Sequence, residues 1–224
     1  SFVYKDKATG DFPRKYCQHN HLDYYVNRNK AIIDFLAEKT WVDEKKIVVA
    51  GHSEGVSIAL KMAIDKANMS HLILLNGGVE GRAMAQITSY RKREKSIEDF
   101  EATEAFFRYW ESLIDKSGEL SDDCSERDSH KATFSFSFPY RRHFQKINIL
   151  VFVGYGTKDE SALLIDNFRI QAIQSKKKNF YFKSYFGLEH NLFEVQEDGR
   201  INYDKRYFDN VANDFFNWIN TFNN

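Results

Sequence analysis

The chain has 224 residues, enough for one domain with a sizeable buried core. Its 42% hydrophobic and 29% charged residues exclude a disordered chain. The 32 basic residues match the 32 acidic ones, so no global charge recruits nucleic acid or an anionic membrane surface. No run of eighteen apolar residues is present, which excludes a membrane-spanning helix, and no secretion signal is visible. Cys17 and Cys124 could pair or remain free thiols; two cysteines alone do not imply a disulfide. His19 and His21 read as loop histidines, and no Cys/His cluster has zinc spacing, so no metal site is expected.

Residues 1–21 are polar and irregular, with Gly10 and Pro13 as breakers. Between Leu22 and Leu36, Val26, Ile33 and Leu36, with Ile32 beside them, share one helical face. The run Ile47-Val48-Val49-Ala50, closed by Gly51, predicts a fully buried strand of a parallel sheet. A helix follows, marked by Val56, Ala59, Leu60, Ala63 and Ala67, then a second strand over Leu72–Leu75 closed by Asn76-Gly77-Gly78. This alternation builds a parallel sheet. Residues 79–146 break the rhythm and read as an insertion that covers one end of the sheet as a lid. Within it Ile97, Phe100, Phe107, Trp110 and Ile114 predict the apolar face of a long helix. Residues 115–133 read as loop, and Phe134, Phe136 and Phe138 alternate with serines. The rhythm resumes with a strand over 147–153, a turn over Gly154–Asp159 and a helix over 161–174. A strand beginning at Phe180 exits through Gly187–Asn191, and Val211, Phe215, Trp218, Ile219 and Phe222 mark a closing helix.

Gly51-His52-Ser53-Glu54-Gly55 matches G-x-S-x-G in the required context, at the end of an apolar strand and the start of an apolar-periodic helix. The motif places a serine on a sharp strand-to-helix turn, where side chains two residues before and after it would collide with the neighbouring elements. Gly51 and Gly55 remove that collision. The helix that begins at Glu54 points its N-terminal amides and positive dipole end toward the site. His52 flanks the serine and reads as a packing or substrate-edge residue.

A serine hydroxyl needs a general base, and the base needs an orienting acid. On a parallel sheet both belong in loops after strands. Asp159 follows the strand 147–153 and is preferred to Glu160 and to Asp166, which falls inside the next helix. His190 is the only histidine after His143, and it follows the strand that begins at Phe180.

With these residues the chain resembles the α/β-hydrolase superfamily, in particular its dienelactone-hydrolase and prolyl-oligopeptidase-like branch. The carriers are the segment 41–55 with its Val-Asp, strand and elbow, the acid loop 153–159 and the histidine loop 187–190; the likeness covers about 22–78 and 147–222. It implies a mostly parallel sheet flanked by helices, with Ser53 as nucleophile, Asp159 as acid, His190 as base and no cofactor. The family has further strands before the elbow, and a loop there supplies a second oxyanion donor. This chain starts too late to hold them, so it is expected to be a fragment of a longer protein.

The resulting expectation is a serine hydrolase that cleaves a carboxylic ester or related acyl bond of a small molecule. A peptide substrate, as in the oligopeptidase branch, is the alternative within the same chemistry. Phe106, Phe107, Trp110, Phe134, Phe136 and Phe138 could line its pocket but read first as lid and core packing. A third alternative keeps the fold without catalysis and binds a ligand or partner. The basic cluster Arg91, Lys92, Arg93 and Lys95 is balanced by Glu94, Glu98, Asp99 and Glu101 and reads as solvated surface. A homo-oligomer is compatible with all three, and no compartment follows from the sequence.

Overall fold

A computed structural model describes residues 13–124 and 128–222. The reading of residues 1–12 as irregular therefore lies outside the described residues. In chain order the elements are α1 (Arg14–His19), α2 (Leu22–Ala37), β1 (Val48–His52), α3 (Glu54–Ile64), β2 (His71–Leu75), α4 (Arg82–Arg93), α5 (Ile97–Asp115) and α6 (His130–Phe136), then β3 (Leu150–Gly156), α7 (Ala162–Gln174), β4 (Phe180–Tyr185), β5 (Phe193–Val195), β6 (Ile201–Arg206) and α8 (Phe208–Asn220). They fall into two compact units. The described residues up to Asn29 form one with Gly81–Pro139, and Lys30–Glu80 form the other with the chain from Tyr140 onward. No helix among the described residues is long and apolar enough to cross a membrane.

The second unit is built on a four-stranded parallel sheet in the order β1-β2-β3-β4. Every residue of β2 is buried, as expected of an inner strand covered on both faces. The expectation of a fully buried β1 is corrected: Val48, Ala50 and His52 are exposed. β1 is the edge strand of this sheet and pairs only with β2 among the described residues.

β3 also departs from expectation, because it starts at Leu150 and runs through Gly156. The carbonyls of Ile147 and Ile149 accept from the Asn179 side chain (3.1 and 2.7 Å), and Ile147 also accepts from Lys177 Nζ (2.7 Å). Side chains thus satisfy the polar backbone where the apolar pattern suggests strand. At the other end Gly154, Tyr155 and Gly156 pair with Lys183, Ser184 and Tyr185, so the residues read as a turn continue the strand.

The apolar core of this unit holds Ile73, Leu75, Phe152, Val211, Phe215 and Trp218 together with Leu188 and Leu192. Phe152, Phe215 and Trp218 meet edge to face, the arrangement aromatic quadrupoles favour. The sequence reading has no counterpart for the antiparallel pair β5-β6: Phe193-Glu194-Val195 does alternate, but over only three residues, too short a run to announce a strand.

The first unit is helical. Pro13 is not a breaker there but the residue on which α1 opens, as its fixed φ and missing N–H allow. Cys17 and Cys124 form a disulfide across 107 residues of chain. Ser96 and Asp99 cap the start of α5 reciprocally, and Ser129 caps α6. The Phe-Ser alternation over 134–138 is helical in its first part. Phe136 is buried, while Ser135 accepts from the Leu22 amide and Ser137 from the Ala83 amide. The expected apolar face of α5 is corrected as well. Ile97 (63%), Phe100 (41%), Phe107 (39%) and Ile114 (50%) are solvent-exposed, and Thr103 and Leu113 are buried instead. A cleft of about 470 Å³ between α4 and α5 is lined by Arg82, Gln86, Tyr90, Phe106 and Tyr109; of the six aromatics weighed as a pocket, only Phe106 lines it.

Candidate active site

Ser53, Asp159 and His190 belong to the sheet unit, and each follows the carboxyl end of one of its strands. Ser53 comes directly after β1, Asn76 directly after β2, Asp159 shortly after β3 and His190 shortly after β4. In a parallel sheet these ends share one rim, which is why residues so distant in sequence can meet.

Ser53 is the turn between β1 and α3, with φ 55° and ψ −123°, a region L-residues rarely occupy. Its N–H donates to the Leu75 carbonyl (3.1 Å), which ties the strained residue to the neighbouring strand. Gly51 has the expected reason: a Cβ there would lie 2.3 Å from the Gly55 carbonyl oxygen. Gly55 does not, since a Cβ there would meet nothing within 4 Å, and the expectation is corrected at that position. The second close approach belongs to Gly77, whose Cβ would lie 2.2 Å from the Val56 side chain and 2.6 Å from the Ser53 carbonyl oxygen. α3 begins at Glu54, so the positive end of its dipole faces the serine turn.

His190 Nε2 lies 2.9 Å from Ser53 Oγ, and His190 Nδ1 lies 2.7 Å from Asp159 Oδ2. The Asp159 carboxylate is buried, and its other oxygen accepts from the Ser161 amide and hydroxyl, both at 2.6 Å. Of the three acids weighed from sequence, Asp159 is the one against the ring. Asp166 is exposed and accepts from the Tyr155 hydroxyl, and Glu160 acts on His190 through its charge.

Two opposing effects set each ionisation. Burial pushes the Asp159 carboxyl up, but hydrogen bonds from His190 and Ser161 outweigh it and hold the group below the usual carboxylate range. The hydrogen bond to Asp159 raises His190 above its ordinary value of 6.5, against burial, which lowers it; the charges of Asp159, Glu189 and Glu160 act in the same upward direction. With Asp159 ionised, Nδ1 carries the proton it donates and Nε2 is left to accept from the serine.

The loop that carries His190 is pinned on both sides. Leu188 and Leu192 are buried in the apolar core, each burial worth roughly 1.5–3 kcal/mol. Glu189 Oε1 accepts from the amides of Asn191 (2.8 Å) and Phe193 (3.0 Å). Two further residues complete the site: Asn76, which sequence reasoning did not place here, and His52, read from sequence as a packing or substrate-edge residue beside the serine. Asn76 Nδ2 donates to the His190 carbonyl (2.8 Å) and its Oδ1 accepts from the Gly156 amide (2.8 Å). His52 lies with its ring centroid 5.0 Å from that of His190, and its Nε2 is 2.9 Å from the same carbonyl. The only sequence signal for Asn76 is its place before two glycines at a strand end. Among the described residues no cluster of three or more His, Cys, Asp or Glu could hold a metal ion.

The model of the family described as BAAT / acyl-CoA thioester hydrolase C terminal matches residues 21–179, a span that includes Ser53 and Asp159 and stops before His190. Among solved structures the chain is similar to a monoacylglycerol lipase from Paleococcus ferrophilus, at 14% identity and a TM-score of 0.54, over 90% of this chain and 76% of the lipase. It is similar to the α/β-hydrolase GrgF from Penicillium sp. sh18, at 12% identity and a TM-score of 0.55, over 89% of this chain and 71% of that one. It is also similar to a hypothetical protein from Pseudomonas aeruginosa, at 13% identity and a TM-score of 0.55, over 88% and 68% of the two chains. At such identities these likenesses speak for the α/β-hydrolase fold alone. No curated protein matches the chain.

Proposed function

Because the chain belongs to the BAAT / acyl-CoA thioester hydrolase C-terminal family, we propose that it is a serine hydrolase of carboxylic esters or thioesters, with Ser53 as nucleophile, His190 as base and Asp159 as the orienting acid. The observation that carries the reading is the unbroken chain of contacts from Ser53 Oγ through the His190 ring to Asp159, at 2.9 and 2.7 Å. Both distances lie within hydrogen-bond reach, as proton transfer requires.

Ser53 Oγ attacks the acyl carbon while its proton passes to His190 Nε2. The negative charge that develops on the carbonyl oxygen is met by the Glu54 amide at the head of α3. The carbon–sulfur or carbon–oxygen bond breaks, and the departing thiolate or alkoxide takes the proton from His190. Water, activated by the same imidazole, then releases the acid and restores Ser53. Asp159 stays ionised throughout and stabilises the imidazolium. The cycle consumes one water and draws on no cofactor. Membership of an acyl-CoA thioester hydrolase family favours the thioester among acyl substrates; the peptide alternative has no observation of its own.

The test is turnover of an acyl-CoA thioester and a p-nitrophenyl ester beside an aminoacyl anilide, by the protein and by Ser53→Ala. The reading expects thioester or ester cleavage that Ser53→Ala abolishes. Preferential anilide cleavage would move the assignment to a peptidase. Binding without any Ser53-dependent turnover would leave a non-catalytic member of the fold.

A further inference from the structure

Asn76 is nearly fully buried (1% exposed), and its polar side chain lies between the two loops that carry the acid and the base. Its orientation is fixed by chemistry. The Gly156 amide can only donate and the His190 carbonyl can only accept, so the oxygen must face the first and the nitrogen the second. Its own amide donates to the Gly154 carbonyl (3.1 Å), and its backbone has φ 45°, a conformation asparagine tolerates better than most residues. The His190 carbonyl receives a second donor, His52 Nε2, from the end of β1. His52 must carry its proton on that nitrogen to make the bond.

Resting on the triad reading above, we propose that Asn76 and His52 are positioning residues that clamp the His190 main chain and so set the imidazole in line with Ser53 and Asp159. Neither touches the reacting atoms. The carbonyl they hold belongs to the same residue as the ring, so only ψ, χ1 and χ2 of His190 separate the clamp from the base. Asn76 ties that carbonyl to the end of β3 through Gly156, three residues before Asp159, and thereby fixes the base relative to the acid. His52 ties it to the residue before Ser53, and thereby fixes the base relative to the nucleophile. Misplacement of a reacting group by about 1 Å can cost on the order of 100-fold in rate.

The clamp is tested by kcat and KM, on the ester or thioester the protein turns over, for four variants checked for folding by circular dichroism. Asn76→Asp keeps the acceptor for Gly156 and tolerates the left-handed backbone, but it turns a carboxylate oxygen toward the His190 carbonyl. It is expected to lower kcat by about 100-fold with KM changed less than about twofold. His52→Ala, at an exposed site with little risk to folding, is expected to lower kcat by about threefold to tenfold. His52→Gln, which restores a donor, should recover most of that loss. Should Asn76→Asp fail to fold, the His52 pair decides. Folded Asn76→Asp and His52→Ala proteins with kcat within twofold of the parent would overturn the clamp, as would a His52→Gln that recovers nothing. Ser53→Ala in the same assay separates the two claims. If it abolishes turnover while the clamp variants stay active, only the clamp fails; if it remains active, the triad reading fails and the clamp falls with it.

Discussion

The sheet unit and the helical unit are held together in different ways. In the sheet unit, backbone pairing across four strands fixes where each strand ends, and short polar contacts at those ends bring Ser53, Asn76, Asp159 and His190 together. In the helical unit, caps, two backbone amides donating to serine hydroxyls and one disulfide join elements whose apolar residues are partly turned outward. A parallel sheet positions chemistry because its register leaves few alternatives. A set of helices relies on individual links, so it should respond to the loss of one link more than to changes along its exposed faces.

That contrast can be broken or sharpened in order of expected effect. Ser53→Ala is expected to lower turnover on the order of a millionfold while leaving the melting temperature nearly unchanged, as kinetics with calorimetry would report. Asp159→Asn should cost about 10,000-fold, because the amide no longer selects the Nδ1–H tautomer of His190. In the helical unit, replacing Cys17 and Cys124 by serine is expected to cost about 2–4 kcal/mol, read by denaturant titration, through the freedom returned to the unfolded chain. Within the serine turn, Gly51→Ala should destabilise by at least about 1–3 kcal/mol, since the new methyl meets backbone, whereas Gly55→Ala should stay within about 0.5 kcal/mol. Equal effects of these two substitutions would contradict the turn geometry. The smallest effect belongs to α5, where Ile97→Gln and Ile114→Gln should also change stability by less than about 0.5 kcal/mol, against about 2–5 kcal/mol for Leu113→Ala.

The pH profile has a definite sign. The neutral imidazole is the base, and the bond to Asp159 raises the His190 pKa. The acid limb of kcat/KM should therefore have its midpoint above 6.5, with activity lost as pH falls through it. The contribution of His190 to stability runs the other way: it is fully present below the unfolded value of the imidazole and is lost as pH rises through the folded one. Asp159→Asn should move the acid limb down toward or below 6.5.

The sheet unit was the more legible one for the same physical reason. A buried strand that ends in G-x-S-x-G announces its turn, and chain order narrows the acid and base to loops after later strands. Ser53, Asp159 and His190 are accordingly both the residues expected and the residues that meet. Asn76 and His52 were not legible in this role, because a hydrogen bond to a carbonyl more than a hundred residues away leaves no periodicity. Nor was the steric need at Gly77, which arises from Val56 on a helix that precedes it in the chain. In α5, apolar residues occur all round the helix, so periodicity selected the stripe of Ile97, Phe100, Phe107, Trp110 and Ile114 while packing buries Thr103 and Leu113. The Cys17–Cys124 pairing was equally out of reach, since two cysteines say nothing of their distance.

The most direct measurement is covalent labelling with a fluorophosphonate, read by intact mass and peptide mapping in the protein and in His190→Ala. One adduct per chain, on Ser53, with labelling slowed at least 1000-fold in the variant, is the expected result. No adduct, an adduct on another serine, or labelling indifferent to His190 would contradict the proton relay between Ser53 and the imidazole.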